Sequence, residues 1–269
     1  ALDGVTKVKN HTTEMSNRVG GRAGLFVGRH RLEVDLYGDK QLRHRYPTTG
    51  EKISFGKMDA KVRFGDDFSD LSRWNFNVEL GAGFFGDGVS LKDQGKLRSS
   101  ASNLNLALGK MLGEKHIFMV HASYDGVYGA DLLESYKSNI LMAGLRYGLS
   151  RNRLEFLIGA DYYYDNLEES KQSPHHIYPY MRLTWKNVKP GFVPYVEVDG
   201  GLKRHDYGSL IYENPFFVAS DESIAQIASL PNESYYAARA GFGGNLGKGI
   251  FSYNLSAELS LADDHFYWY

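Results

Sequence analysis

The sequence predicts an all-β fold, a transmembrane antiparallel up-and-down β-barrel with about 12 strands in this chain. Three observations carry that expectation: strict period-two alternation sustained for about ten residues, aromatic side chains gathered at the ends of the apolar runs, and short links that alternate with long polar ones. Successive side chains of a strand point to opposite faces, so each alternating run has one apolar face and one polar or glycine-rich face.

The clearest run has Phe251, Tyr253, Leu255, Ala257, Leu259 and Leu261 alternating with Ser252, Asn254, Ser256, Glu258 and Ser260. Trp74, Phe76, Val78, Leu80, Ala82 and Phe84 alternate in the same way with Asn75, Asn77, Glu79, Gly81 and Gly83. Comparable runs are Leu32-Val34-Leu36, Met58-Ala60-Val62-Phe64, Leu104-Leu106-Leu108, Leu154-Phe156-Ile158-Ala160-Tyr162-Tyr164 and Ile177-Pro179-Met181-Leu183-Trp185. Weaker matches at 19–27, 118–124, 141–149, 192–202 and 236–246 complete the set. A soluble sandwich would alternate too. Its strands average about five or six residues, however, whereas a tilted membrane strand needs about ten. Trp74, Phe84, Tyr162, Tyr164, Trp185, Phe251 and Tyr253 fall where the two interfacial girdles of a membrane barrel would lie.

Composition is compatible with this and excludes several alternatives. The 269 residues carry 31 basic and 32 acidic side chains, a balance that points to neither nucleic acid nor an acidic partner. There is no cysteine, hence no disulfide scaffold, thiolate metal site or thiol nucleophile. A mean hydropathy of -0.40 is no objection, because only half of each barrel strand faces lipid. No apolar stretch approaches the roughly 18 residues of a membrane helix.

The links at 28–30, 113–115, 150–152, 187–191 and 247–249 read as short turns, those at 38–52, 86–98, 126–136, 165–174 and 204–234 as long loops, and 65–73 as intermediate. Outer-membrane barrels place short turns in the periplasm and long loops outside. On that rule the first strand runs inward and the last runs outward, which leaves residues 1–17 and Tyr269 at the extracellular side. Since complete bacterial barrels keep both ends in the periplasm, residues 1–269 are expected to be an interior segment of a barrel of 14 or more strands. The alternative is a complete barrel with one strand miscounted. Asp263 and His265 read as loop rather than as a closing strand.

The polar phase contains Arg22, Glu33, Asp35, Lys57, Asp59, Lys61, Arg63, Glu79, Glu155, Asp161, Arg182, Lys186, Glu197, Asp199, Arg239 and Glu258 as candidate lumen-lining residues. Both signs are interleaved, which predicts either a weakly selective aqueous lumen or one filled by cross-barrel ion pairs. His121, Ser123 and Asp125 share one face of one strand and point to the lumen; adjacent side chains of one strand lack the orienting contacts and oxyanion donors of a triad, so no catalytic residues are expected. His175-His176 reads as a loop tip rather than a metal site, and no metal or cofactor is expected. Arg43-His44-Arg45 reads as a solvated charge run. The pairs Gly200-Gly201 and Gly243-Gly244 precede no helix and serve bending or close packing rather than phosphate binding. In the longest loop, Ser220 or Asp221 would cap a short helix with Ile224, Ile227, Ala228 and Leu230 on one apolar stripe, ended by Pro231. Ile224, Ile227 and Leu230 are thus candidates for a gate or docking loop, with a self-packed loop as the alternative.

Gly200-Gly201-Leu202-Lys203-Arg204, with Tyr207, Leu210 and Asn214-Pro215-Phe216, resembles a family of Gram-negative outer-membrane barrels often labelled TonB-dependent receptor although they lack the usual plug. The likeness runs loosely to the cluster Phe266-Tyr267-Trp268-Tyr269. It implies a non-enzymatic barrel longer than this chain, in the bacterial outer membrane; energised import is not carried over. Expected functions are a channel or transport-like pore for small solutes or, alternatively, an accessory scaffold barrel in an outer-membrane complex for nutrient uptake or protein assembly. Expected partners are outer-membrane lipid and lipopolysaccharide, with other envelope proteins or lipoproteins in a complex, and no nucleic acid.

Overall fold

The computed structural model describes residues 15–44, 52–68, 70–87, 95–113, 115–167, 173–186, 192–214, 224–227, 230–246 and 251–263. Within them the alternating runs form twelve strands: β1 (Met15–Val27), β2 (His30–His44), β3 (Lys52–Gly65), β4 (Asn75–Asp87), β5 (Leu97–Leu112), β6 (His116–Asp131), β7 (Lys137–Arg151), β8 (Leu154–Leu167), β9 (His175–Trp185), β10 (Val193–Lys203), β11 (Glu233–Leu246) and β12 (Phe251–Asp263). They form one sheet in sequence order, each strand antiparallel to its chain neighbours. This is the up-and-down topology that short hairpins and period-two patterning dictate. The β1–β2 turn illustrates the local chemistry. Val27 pairs with His30 across two residues, and Gly28 takes φ 64°, the left-handed first position that such a turn requires. Asn152 fills the same place, with φ 53°, between Arg151 and Leu154.

The predicted apolar phase is the solvent-accessible one. Leu36, Met58, Leu80, Phe84, Leu145, Ile158, Met181, Val196, Leu255 and Leu259 all remain exposed, Met58 at 68% and Phe84 at 64%. A contiguous apolar face of this kind is far outside what a water-soluble surface carries and is the lipid-facing belt of a membrane barrel. No described helix is long and apolar enough to cross a membrane; the strands do the crossing.

Several links are shorter than the sequence indicates. β2 continues to His44, β6 to Asp131 and β8 to Leu167, so the loops read at 38–52, 126–136 and 165–174 contract to 45–51, 132–136 and 168–174. Asp263, read as loop, is the last residue of β12 and pairs with Ser234. The reason is backbone hydrogen bonding: once two strands are paired, extending the ladder satisfies further N–H and C=O groups, and polar side chains beyond the membrane do not oppose it. Strands of 11 to 16 residues therefore overrun the roughly ten that a bilayer requires.

The two outermost strands differ from the other ten. β1 is exposed at every position on both faces, and β12 at every position except Tyr253. In β4, by contrast, Asn75, Glu79, Gly83 and Asp87 are buried. The buried apolar core lies on the polar face of the sheet, at the end where β10 and β11 are joined, and is described next.

Candidate functional site: the inner face and its docked loop

The sheet register explains why both charge signs alternate in the sequence. Arg22 stands opposite Asp35, and Asp35 opposite Lys61. In the next row Glu33 stands opposite Arg63, and Arg63 opposite Glu79, which Asn105 faces on β5. At the other side Arg182, Glu197, Arg239 and Glu258 occupy one row across β9, β10, β11 and β12. Directly opposed residues of unlike charge attract, so each row becomes a chain of ion pairs. Arg22 meets Asp35 at 2.5 Å, Arg63 meets Glu79 at 2.5 Å, and Lys61 meets Glu79 at 2.9 Å. Arg239 alone contacts Glu197, Asp199 and Glu258, at 3.2, 2.5 and 2.5 Å, while Arg182 meets Glu197 at 3.0 Å. Lys57–Asp59 and Lys186–Glu155 add two further pairs. The residues of the predicted polar phase thus lie on one face and, apart from Asp161, pair among themselves, with Arg239 shared by three carboxylates.

A fourth cluster was not assembled by sequence reasoning. Gly144 stands in register between His121 on β6 and Asp161 on β8. A Cβ at Gly144 would lie 2.1 Å from Asp161 Oδ1 and 2.3 Å from the His121 ring, so the missing side chain is what lets the two meet. His121 Nε2 lies 3.0 Å from Asp161 Oδ1. Arg146 donates to both Asp161 oxygens, at 2.7 and 2.5 Å, with its guanidinium 4.0 Å from the Tyr180 ring centroid. Asp125 is held instead by Arg204, so the His121–Ser123–Asp125 set does not converge. The arginine at 146 was legible only in its phase; its partner required the register.

The second part of this face is apolar and carries the loop between β10 and β11. The sequence reading placed a helix only near residue 224, whereas the structure has α1 (Tyr207–Glu213) ahead of it. The missed signal was local. Asp206 and Ser209 form a capping box, with Ser209 N–H donating to Asp206 Oδ1 at 2.8 Å, and Tyr207, Leu210 and Ile211 supply one buried face. A helical turn at 224–227 follows, with Ile224 and Ile227 buried and Leu230 packed against them; Ser220, Asp221 and Ala228 lie outside the described residues. Together they cover Phe55, Leu97, Val127, Leu133, Tyr136 and Leu167, contributed by β3, β5, β6, β8 and the 132–136 turn.

Polar contacts fix the docked loop. Tyr207 donates to Asp87 at 2.9 Å, Tyr212 to Asp39 at 3.3 Å, and Tyr136 to the His205 carbonyl at 3.0 Å. Arg204 donates to Asp125 Oδ1 at 2.7 Å and to Ser138 at 3.1 Å. Burial pushes the Tyr136 phenol up, and burial together with Asp39 does the same for Tyr212, which keeps both as neutral donors. Burial likewise raises the Asp206 carboxyl above the usual carboxylate range, against the backbone N–H bonds that lower it. Between α1 and the wall remains a cavity of about 410 Å³, lined by Tyr37, Lys57, Asp59, Phe85 and Tyr212 among others.

The remaining predicted features are placed as follows. His175 and His176 open β9, paired with Tyr164 and Tyr163, rather than forming a loop tip; His175 bonds Tyr162 Oη at 2.6 Å while His176 stacks on Tyr178, so the two imidazoles serve different faces. Gly200 and Gly201 sit beneath the rings of Tyr178, Tyr236, Tyr235 and Tyr163, the close packing expected of them, although, against the sequence reading, a helix does follow, α1 starting at Tyr207. The side chains of Arg43 and His44, and Arg45, Gly247 to Gly249 and the cluster at 266–269, lie outside the described residues.

A lipid-exposed apolar face, an inner face of paired charge and a loop folded onto that inner face define the class: this is the wall of an outer-membrane β-barrel. No protein-family model and no curated protein matches the chain. Solved structures do. The siderophore receptor PirA from Acinetobacter baumannii superposes with a TM-score of 0.61 at 11% identity, over 94% of this chain and 43% of PirA. The FrpB iron transporter from Neisseria meningitidis gives 0.59 at 11%, over 94% and 45%. The outer membrane transporter YddB from Escherichia coli gives 0.57 at 11%, over 87% and 38%. The chain therefore spans less than half the length of these neighbours, which are receptors and transporters rather than enzymes. At such identities the shared property is the fold, and with the exposed belt it places this chain in a bacterial outer membrane.

Proposed function

We propose that the chain forms the wall of an outer-membrane transport barrel for small solutes, with the 204–232 segment as its gate. The observation that carries this reading is the position of α1: it lies on the inner face, where a solute would pass, rather than on the lipid face. The transporter and receptor neighbours support it, as does the resemblance to plug-less barrels. The rows of compensated charge line the bore and make it weakly ion-selective. The long β10–β11 connection marks the extracellular end. Both edges of the sheet are completed by further strands, a reading supported by the two-faced exposure of β1 and β12 and by neighbours more than twice as long.

The test is single-channel conductance in a planar bilayer. The chain has no cysteine, and a Cβ on Gly208 lies 3.3 Å from the Phe85 ring, so a Gly208→Cys, Phe85→Cys pair is a unique cross-link between α1 and the wall. Ohmic openings that disappear on oxidation and return on reduction are expected. A bilayer that stays silent in both states, with a barrel that co-purifies with envelope proteins, would favour the accessory scaffold instead.

A further inference from the structure

The arginines of this chain are almost all neutralised, and the exceptions lie together. Every other arginine whose side chain is described makes an ion pair with a carboxylate. Arg151 and Arg153, at the tip of the β7–β8 hairpin, make none among the described residues, and both are exposed. Arg151 is in the outward phase of β7, two residues beyond the exposed Leu149.

Directly beside this tip, the lipid-facing side of the sheet has a groove of about 870 Å³ lined by Leu149, Leu154, Phe156, Leu183, Trp185 and Pro194, with the two arginines at its rim. The register explains the groove. Phe156 pairs with Leu149 on one side and Leu183 on the other, and Leu154 pairs with Trp185, so three strands bring their outward apolar residues together at one height. Trp185 at the strand end is where the headgroup boundary is expected.

We propose that this groove holds an anionic glycerophospholipid, an acyl chain against Leu154, Phe156, Leu183 and Trp185 and the phosphate between Arg151 and Arg153. Charge complementarity selects the occupant: two uncompensated guanidinium groups suit a phosphate by bidentate donation, and their position on the lipid-facing side supplies a phosphate attached to hydrocarbon. A zwitterionic lipid offers the same phosphate with its charge cancelled. The hairpin lies at the end of the sheet opposite the β10–β11 loop, so the leaflet assignment, the periplasmic one, rests on the orientation in the proposed function; the site itself does not.

Trp185 is a built-in reporter. With Trp74→Phe and Trp268→Phe leaving it the only tryptophan, the protein is reconstituted into phosphatidylcholine bilayers that contain brominated phosphatidylglycerol or, separately, brominated phosphatidylcholine. Brominated phosphatidylglycerol is expected to quench Trp185 at lower mole fraction, with a preference of about fivefold for each arginine. Arg151→Gln with Arg153→Gln should erase that preference while the barrel still shows heat-modifiable migration. Equal quenching by the two lipids, a preference that survives in the double variant, or displacement of the lipid by inorganic phosphate at constant ionic strength would each overturn the assignment. Conductance of the same reconstituted protein reports on the gate separately, so failure of one reading is distinguishable from failure of the other.

Discussion

The inner face of the sheet has two regions that hold together by different physics. The charged rows around Arg63–Glu79 and Arg239–Glu197 stand partly in solvent, Arg63 and Glu258 nearly half exposed while their partner Glu79 and neighbour Glu197 are largely covered. Exposed ion pairs contribute only about 0–1 kcal/mol each, since water screens them. The patch beneath α1 is a small protein core: Leu210, Ile211 and Leu97 are fully buried, and each such aliphatic side chain contributes about 1.5–3 kcal/mol. The first region sets the electrostatics of this face with little bearing on stability. The second determines whether α1 stays docked on it.

Substitutions in the two regions should separate accordingly. The largest effect is expected from Leu210→Asp, which places an unpaired carboxylate in the core and costs about 3 kcal/mol or more. The loop should detach while the sheet persists, seen as protease cleavage within 204–232 of a barrel that still migrates as folded; an uncut loop would mean that α1 is not held by this core. An intermediate effect is expected at Asp206. Asp206→Ala removes the helix cap and should weaken docking by about 1 kcal/mol, whereas Asp206→Asn keeps the cap and sheds the buried charge, so docking equals or exceeds that of the parent. The sign with pH follows from the raised carboxyl. A group whose pKa is higher in the docked than in the free state contributes fully below its ordinary value, about 4, and that contribution is lost as pH rises through the elevated one. Loop protection in the parent should therefore decline from acidic toward neutral pH relative to Asp206→Asn, and parallel profiles would contradict this.

The smallest change in stability is expected from Arg239→Gln, about 1 kcal/mol or less. Its signature is electrical. With Glu197, Asp199 and Glu258 left uncompensated, the bore should shift toward cation selectivity, read as a change in reversal potential under a salt gradient. An unchanged potential would place this row away from the conducting path.

Much of the fold was legible because a membrane strand leaves a strong periodic trace. The lipid phase of β4, β8 and β12 could be written from alternation alone, and Leu80, Ile158 and Leu259 are exposed as that phase requires. Loop lengths were less legible, since the polar residues at 38–44 and 126–131 suit a loop and a paired strand equally well. In the candidate site, the buried Ile224 and Ile227 were marked by their spacing, whereas α1 was hidden by its length of about two turns and by a glycine at its second residue. The Asp206–Ser209 cap was the available cue.

The sequence by itself determined which side chains share the lipid face and which share the opposite face, because period two is a local property of an extended chain. It did not determine which charges meet. That depends on register, a relation between distant segments, and only the folded sheet set Arg63 against Glu79, opened the slot at Gly144 for His121 and Asp161, and placed Arg151 and Arg153 on a hairpin where they make no ion pair among the described residues. The same holds for the strands found at the outset. Their number and phase are local and could be counted, but the docking of α1 and the 224–227 turn is a tertiary choice, made by burying Leu210 and Ile211 against five other parts of the chain.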